Sequence, residues 1–236
     1  MRVITIANQK GGIAKTTTTI NIAAGLHRAG KKVLLVDLDT QGDLSYNVGA
    51  VEPRRSLAQV INGTADDIRE VIQHTESGLD LIPSDMDLIE LEAKITAFDF
   101  TTLNYDYILI DCPPNMAGNT VAAILASDGV IVPTTADFYG YKSVKAIAES
   151  LRTLKRPLNG IVLTRYTGRM IITKQVTEDM EKLAAELKTK VYNSRIRECV
   201  AVRESQLMQQ DIFSYDETAT AAQDYLALVN EIMQEV

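Results

Sequence analysis

Cysteine and histidine are scarce in this 236-residue sequence. Cys112 and Cys199 stand alone without CxxC spacing, and His27 and His74 lie far apart, so neither a disulfide framework nor a zinc site is supported. Long apolar runs are missing too. No stretch reaches the length of a membrane span, and the apolar run 1–7 is too short, and too soon followed by a polar loop, for a secretory signal. A cytoplasmic chain is the expectation. Basic residues are absent after Arg203: the last thirty-three residues carry seven Asp and Glu and no Lys or Arg, which excludes a basic amphipathic C-terminal helix and speaks against a membrane partner. There is also no Pro/Ser-rich linker, low-complexity tract or internal repeat. With 46% hydrophobic and 23% charged residues, positions 1–236 read as a single domain large enough to cover both faces of a sheet.

The net charge of −7 is unevenly spread. Positions 142–203 hold fourteen Lys and Arg against six Asp and Glu, so an acidic protein can still present a local basic face. Short β-branched runs at 3–7, 33–36, 107–110, 129–132 and 161–163, bounded by Gly, Pro, Asp or Asn, read as strands buried on both faces. Between them, 16–29, 119–126, 141–154, 173–187 and 217–233 carry apolar residues at helical spacing. Such alternation predicts a mostly parallel α/β sheet with helices on both faces. Between 48 and 103 the pattern is mixed, with an extended pair at 68–72 and 79–82 and a helix at 86–95 as the expectation.

The first strand runs straight into Asn8-Gln9-Lys10-Gly11-Gly12-Ile13-Ala14-Lys15-Thr16-Thr17, and a long helix follows. Glycines let the backbone wrap an anion, and the helix points its free N–H groups at it. Lys15 can then reach the β- and γ-phosphates of a nucleotide, and the Thr16 hydroxyl can hold Mg²⁺. Two further strands end in carboxylates. Val36-Asp37-Leu38-Asp39 places Asp37 and Asp39 on one side of the chain, and Tyr107-Ile108-Leu109-Ile110-Asp111-Cys112-Pro113-Pro114 ends an apolar strand in Asp111. At the carboxyl ends of parallel strands all three would face the ligand crevice. Cys112 reads as a buried small residue.

The loop departs from G-x-x-x-x-G-K-[ST], with Gln9 and Ala14 at the glycine positions. It resembles instead the K-G-G-x-G-K-[ST] deviant Walker A motif of the ParA/MinD family of dimerising ATPases. Asp37-Leu38-Asp39-Thr40-Gln41-Gly42 resembles that family's D-x-D-P-Q-G segment, and the strand ending at Asp111 its hhhh-D-x-P-P segment. The likeness covers nearly the whole chain. Leu79-Asp80-Leu81-Ile82-Pro83-Ser84, the run from Gly160 to Arg169 and the run from Ile212 to Tyr225 are similar to segments of the partition (ParA/Soj) branch.

The resemblance implies a P-loop NTPase-like sheet that binds ATP and Mg²⁺. Positions 10–17 (Lys10, Gly11, Gly12, Ile13, Ala14, Lys15, Thr16, Thr17) form the nucleotide loop, and Lys10 crosses to the partner's ATP in a homodimer. Asp39 positions the attacking water; Thr16, Asp37 and Asp111 serve the metal. Alanine at position 14 implies a strained loop, because the motif has glycine there.

Among the sister functions, partition by non-specific DNA binding fits the basic stretch. Arg169, Lys174, Lys188, Lys190, Arg195, Arg197 and Arg203 fall in the half where ParA-type dimers build their DNA face. The expected partners are double-stranded DNA and a ParB-like centromere-binding protein, and the expected location is the nucleoid. A nucleotide-gated protein-positioning ATPase without DNA binding is the alternative. The segment Ile196-Arg197-Glu198-Cys199 lacks the proline of its family counterpart, and Thr220 occupies a position that is often basic.

Overall fold

Alternate side chains of the apolar runs leave on opposite sides of one sheet, and each side is covered by helices. The computed structural model describes residues 1–50, 52, 55–91 and 98–235. Among these, eight strands form one sheet: β1 (Arg2–Ile6), β2 (Val33–Asp37), β3 (Gln73–His74), β4 (Asp80–Ile82), β5 (Tyr107–Asp111), β6 (Gly129–Thr135), β7 (Leu158–Tyr166) and β8 (Val191–Arg197). Their spatial order is β3-β4-β2-β5-β1-β6-β7-β8, parallel throughout except for the antiparallel pair β3 and β4.

On one side, Ile4 and Ile6 of β1, Leu35 of β2 and Leu109 of β5 pack under α1 (Lys15–Arg28) and α10 (Thr220–Met233). On the other, Val3, Leu34, Val36, Ile108 and Ile110 meet α5 (Gly118–Ala126), α6 (Phe138–Leu154) and α7 (Ile171–Glu186). Strands buried on both faces need no polar alternation, which is why their sequences are continuous apolar runs. α1 and α10 approach closely at Gly25, where a Cβ would stand 2.7 Å from a methyl of Val229.

Four departures from the sequence expectation have physical causes. The 68–72 run does not extend: Ile68–Val71 is a 3₁₀ turn fixed by a capping box between Asp67 and Glu70, and the partner of β4 is the adjoining Gln73–His74. The helix expected at 86–95 is described as α4 (Leu88–Leu91), and 92–97 lie outside the described residues. The terminal helix expected at 217–233 begins at Thr220. α9 (Ile212–Asp216), capped by Asp211, precedes α10, and the chain turns between them.

The fourth departure is β8 with the following α8 (Val200–Leu207), which the sequence does not announce. β8 is an edge strand in which Tyr192 and Ile196 are buried and Val191 is half-buried against the core, while Asn193, Ser194, Arg195 and Arg197 are polar and partly or fully exposed. Two shorter helices, α2 (Asp43–Asn47) and α3 (Leu57–Asn62), complete the described elements.

Candidate nucleotide-binding site

β1, β2 and β5 are neighbours, so the segments that leave their carboxyl ends converge. The loop after β1 is shaped before any ligand enters. Asn8 accepts a bond from the Lys10 N–H (3.1 Å) and donates to the Pro133 carbonyl (2.9 Å), while Thr164 Oγ1 donates to the Ile13 carbonyl (3.0 Å). Gly12 adopts φ +69°, and Ala14, at the N-cap of α1, adopts φ 65° and ψ 37°. The strain expected at position 14 is therefore real: alanine holds the left-handed conformation that the motif assigns to glycine. Ala14 offers no capping side chain, so the first N–H groups of α1 stay open toward the cleft.

Lys15 is buried, with its ammonium 3.4 Å from the Lys10 carbonyl. Burial pulls its pKa below the ordinary lysine value, against the attraction of Asp111 and Asp39. Thr16 Oγ1 donates to Asp111 at 2.7 Å and Thr19 Oγ1 donates to the same carboxylate at 3.0 Å.

Asp37 and Asp111 stand directly opposite each other in the register of β2 and β5. Both are fully buried. Burial and then the facing charge of Asp111 push Asp37 up to about 8, although the Ser45 N–H (2.9 Å) and hydroxyl (2.7 Å) donate to it. Burial likewise pushes Asp111 up to about 7, although the Thr16 and Thr19 hydroxyls and Lys15 favour its charged form. Two carboxylates packed this way destabilise the sheet unless a proton or a cation neutralises them. The oxygens of Asp111 and the Thr16 hydroxyl therefore suit a hard divalent cation. Asp37 is set back: its second oxygen accepts the Asp39 N–H at 3.1 Å, so it fixes the segment that carries Asp39. Asp39 itself lines the cleft.

That cleft, of about 990 Å³, is walled by Gly11, Gly12 and positions 14–17, by Asp39 and Tyr46, and by a rim that sequence reasoning missed. Arg165, Ile196, Glu198, Cys199, Val202 and Gln206 form the rim, from the end of β7, from β8 and from α8. Glu198 accepts bonds from Arg165 (2.9 Å) and Arg203 (2.7 Å), Arg165 donates to the Gly12 carbonyl (3.3 Å), and Gln206 donates to Thr17 Oγ1 (2.8 Å). The basic count of the stretch, and the likeness of 160–169 and 196–199 to family segments, were the signals available for this rim.

Lys10 lies outside the cleft, in a second groove. Its ammonium donates to Thr135 Oγ1 (2.9 Å) and to Asp137 (3.1 Å), the N-cap of α6. Cys112 is fully buried, its thiol pushed up by burial and by Asp111, as a packing residue would be.

The seven basic residues singled out for DNA are spread along the molecule. Lys188 and Lys190 sit at the amino end of β8, and Arg169 and Lys174 lie at the far end of the sixteen-residue α7, about 24 Å away by helix rise. Arg195 pairs with Glu181 (2.9 Å), Arg197 with Asp224 (2.6 Å), Arg203 with Glu198 and Lys190 with Glu235 (2.7 Å). Arg197 and Arg203 line the nucleotide cleft. Arg169, Lys174 and Lys188 carry no ion pair among the described residues.

A phosphate loop after β1, facing strand-end carboxylates and an uncapped helix N-terminus define a P-loop nucleotide-hydrolase fold and site. Residues 1–163 match the family described as an AAA domain. The chromosome partitioning protein ParA of Caulobacter vibrioides is 34% identical over 99% of this chain and 94% of its own length. The chromosome-partitioning ATPase Soj of Thermus thermophilus is 35% identical over 100% and 97%. In structure, the septum site-determining protein MinD of Pyrococcus horikoshii, complexed with Mg-ADP, superposes with a TM-score of 0.81 at 25% identity over 98% of this chain and 95% of that one. The chain belongs to the ParA/Soj family of partition ATPases.

Ala14→Gly should relieve the left-handed strain and raise stability by about 0.5–1 kcal/mol after the added unfolded-state freedom of glycine is discounted, measured by denaturant unfolding. Without ligand and with chelator present, stability should fall as pH rises from about 4 to about 8. Native Asp37 keeps a proton there that the unfolded chain has lost, with a slope of at most about 1.4 kcal/mol per pH unit for the group. Asp37→Asn should remove the Asp37 share of that slope in thermal unfolding and leave the share of Asp111, whose carboxyl burial also raises.

Proposed function

We propose that this chain is a DNA-partition ATPase that binds ATP with Mg²⁺, pairs with a second copy while ATP is bound, and holds DNA without sequence preference in that state. The observation that carries the nucleotide reading is the convergence of Lys15, Thr16 and Asp111 below an open helix N-terminus. Lys15 and the N–H groups at positions 11–17 would hold the phosphates. Thr16 and Asp111 would hold Mg²⁺, with Asp37 supporting it from behind through the backbone that carries Asp39. A metal held there would supply neutralisation of the phosphate charge. Asp39, presented to the cleft on the chain that Asp37 anchors, orients the attacking water. The likeness to a MinD complexed with Mg-ADP supports the same nucleotide and metal.

Lys10 stands ready for the second copy. Its ammonium is held by Asp137 and Thr135 in its own chain, outside its own cleft, and a nucleotide in the partner's cleft would offer it a stronger anion. The kinship with ParA and Soj supports cargo partition, and Arg169 and Lys174, which carry no ion pair among the described residues, support the DNA contact. Phosphate contacts need charge rather than base-reading geometry, and pairing doubles their number. A ParB-like protein is the partner expected to speed turnover, and association with the nucleoid follows from the DNA contact. The competing reading is a protein-positioning ATPase without DNA binding, favoured by the ion pairs that hold four of the seven cations singled out for DNA.

Retention of unrelated duplex DNA should require Mg²⁺ and a slowly hydrolysed ATP analogue, and fall steeply with salt. Arg169→Glu combined with Lys174→Glu should reduce it by about tenfold or more. Asp39→Ala should slow hydrolysis on the order of 100-fold and prolong retention with ATP. Nucleotide-dependent pairing without any DNA retention would select the positioning reading.

A further inference from the structure

A cavity opens at the amino end of the sheet, opposite the nucleotide cleft. β2 begins there at Val33, β4 at Asp80, and β5 two residues after Tyr105, all of them close to or part of the cavity wall. From Val33 to Asp37 the strand rises about 13 Å, so this cavity and the cleft lie at opposite ends of the same strands. It measures about 680 Å³, within the range of small-molecule sites. Buried Val33 and Leu103 and half-buried Ile72 give it apolar walls. A smaller hollow of about 440 Å³ shares Arg69, Ile72 and Tyr105 with it, so the two adjoin as one groove.

Charge singles this groove out. Outside positions 142–203 the sequence holds ten Lys and Arg against twenty-five Asp and Glu, yet Lys31, Lys32, Arg55 and Arg69 line the groove against two acids, Glu52 and Asp80. Both histidines of the sequence, His27 and His74, line it too. Asp80 is already engaged, accepting from the Tyr105 hydroxyl (2.7 Å) and facing His74 Nδ1, and Arg69 is held by Asp67. Lys31 and Lys32, by contrast, carry no ion pair among the described residues. Their backbone is nevertheless fixed: the Lys31 N–H donates to the Leu26 carbonyl (3.1 Å), the Lys32 N–H to the Asp106 carboxylate (2.8 Å), and the Lys32 carbonyl accepts the Asp106 N–H (2.9 Å). The wall around His27 is close-fitting. Gly78 has φ +82°, and a Cβ there would stand 2.9 Å from His27 Nε2, so only glycine lets this turn close on the ring.

We propose that this groove is a second ligand site, for a small molecule that carries linked phosphates on an aromatic body. Lys31, Lys32 and Arg69 take the phosphates, and the body lies against Tyr105, Ile72 and Leu103. Three cations around one cavity suit a linked polyphosphate better than a single phosphate. The site differs from the nucleotide cleft in needing no metal, because the acid that lines this cavity, Asp80, is already held by Tyr105 and His74. Shape and wall chemistry favour a small molecule over the other polyanions: a DNA duplex is too broad to enter the cavity, and an acidic peptide has no use for its apolar walls. Lys10 and the nucleotide cleft lie at the other end of the sheet, so the groove stays open whether or not the chain is paired.

Equilibrium dialysis of the full chain tests the site, with ADP and excess Mg²⁺ as the first probe and inorganic tripolyphosphate, added once MgADP fills the cleft, as the second. The wild type should take up a second equivalent of ADP per chain and one of tripolyphosphate. Lys31→Glu combined with Lys32→Glu should weaken both of these by about tenfold or more, while the affinity of the first ADP equivalent stays within about twofold. That unchanged first equivalent also reports an intact fold. Arg69→Gln, on the exposed 3₁₀ turn, is the independent second variant and should act in the same direction. A wild type that stops at one ADP and takes no tripolyphosphate up to about 1 mM would overturn the proposal. So would a second equivalent that both variants retain, because the ligand would then be bound elsewhere. Uptake of hexaglutamate or of a short DNA duplex in place of the two phosphate probes, lost in the double variant, would assign the groove to a macromolecular partner and likewise overturn it.

Discussion

Two buried carboxylates facing each other across paired strands are the constraint around which this structure is arranged. Asp37 and Asp111 share one register position on β2 and β5, and neither reaches solvent. A core that only needed stability would place apolar residues there, as it does at every preceding position of both strands. The surrounding groups offset the cost in part: Ser45 turns its N–H and hydroxyl onto Asp37, and Thr16 and Thr19 donate to Asp111. The remaining deficit is of positive charge, which Lys15 supplies from one side and a cation can supply from the other.

The sheet order makes that arrangement available. Because β2, β5 and β1 are adjacent and parallel, the phosphate loop, Asp39 and Asp111 all emerge at one end. The same order explains the second groove. β6 lies on the other side of β1, so Thr135 and Asp137 at its end meet Lys10 rather than the cleft. One lysine of the loop thus faces inward and the other outward, and the chain has one cation for its own nucleotide and one directed elsewhere.

The site was legible in the sequence where its parts are contiguous. Positions 10–17 follow a strand without interruption, and each aspartate ends its own apolar run, so local order alone identified them. Even the strain at Ala14 could be anticipated, since the motif there calls for a left-handed residue. The rim and the second groove were hidden because their bonds join residues far apart: Arg165 to Glu198 and Gln206 to Thr17 in the rim, and Lys10 to Asp137 in the groove. β8 was hidden for another reason. An edge strand half in water has no continuous apolar run, so its arginines registered as charge and not as structure. Charge counting therefore joined residues at opposite ends of α7, several of them already neutralised by acids that a tally cannot pair.

The most direct test of the carboxylate account is the unfolding temperature of the wild type and of Asp111→Asn, each with ATP plus Mg²⁺ and with ATP plus chelator. A buried carboxylate pair whose charge is offset by a cation held at Asp111 predicts that the wild type gains a large increment from the metal and that Asp111→Asn loses it. An Asp111→Asn chain that keeps the full metal-dependent increment would contradict the account, because the cation would then be held by other groups.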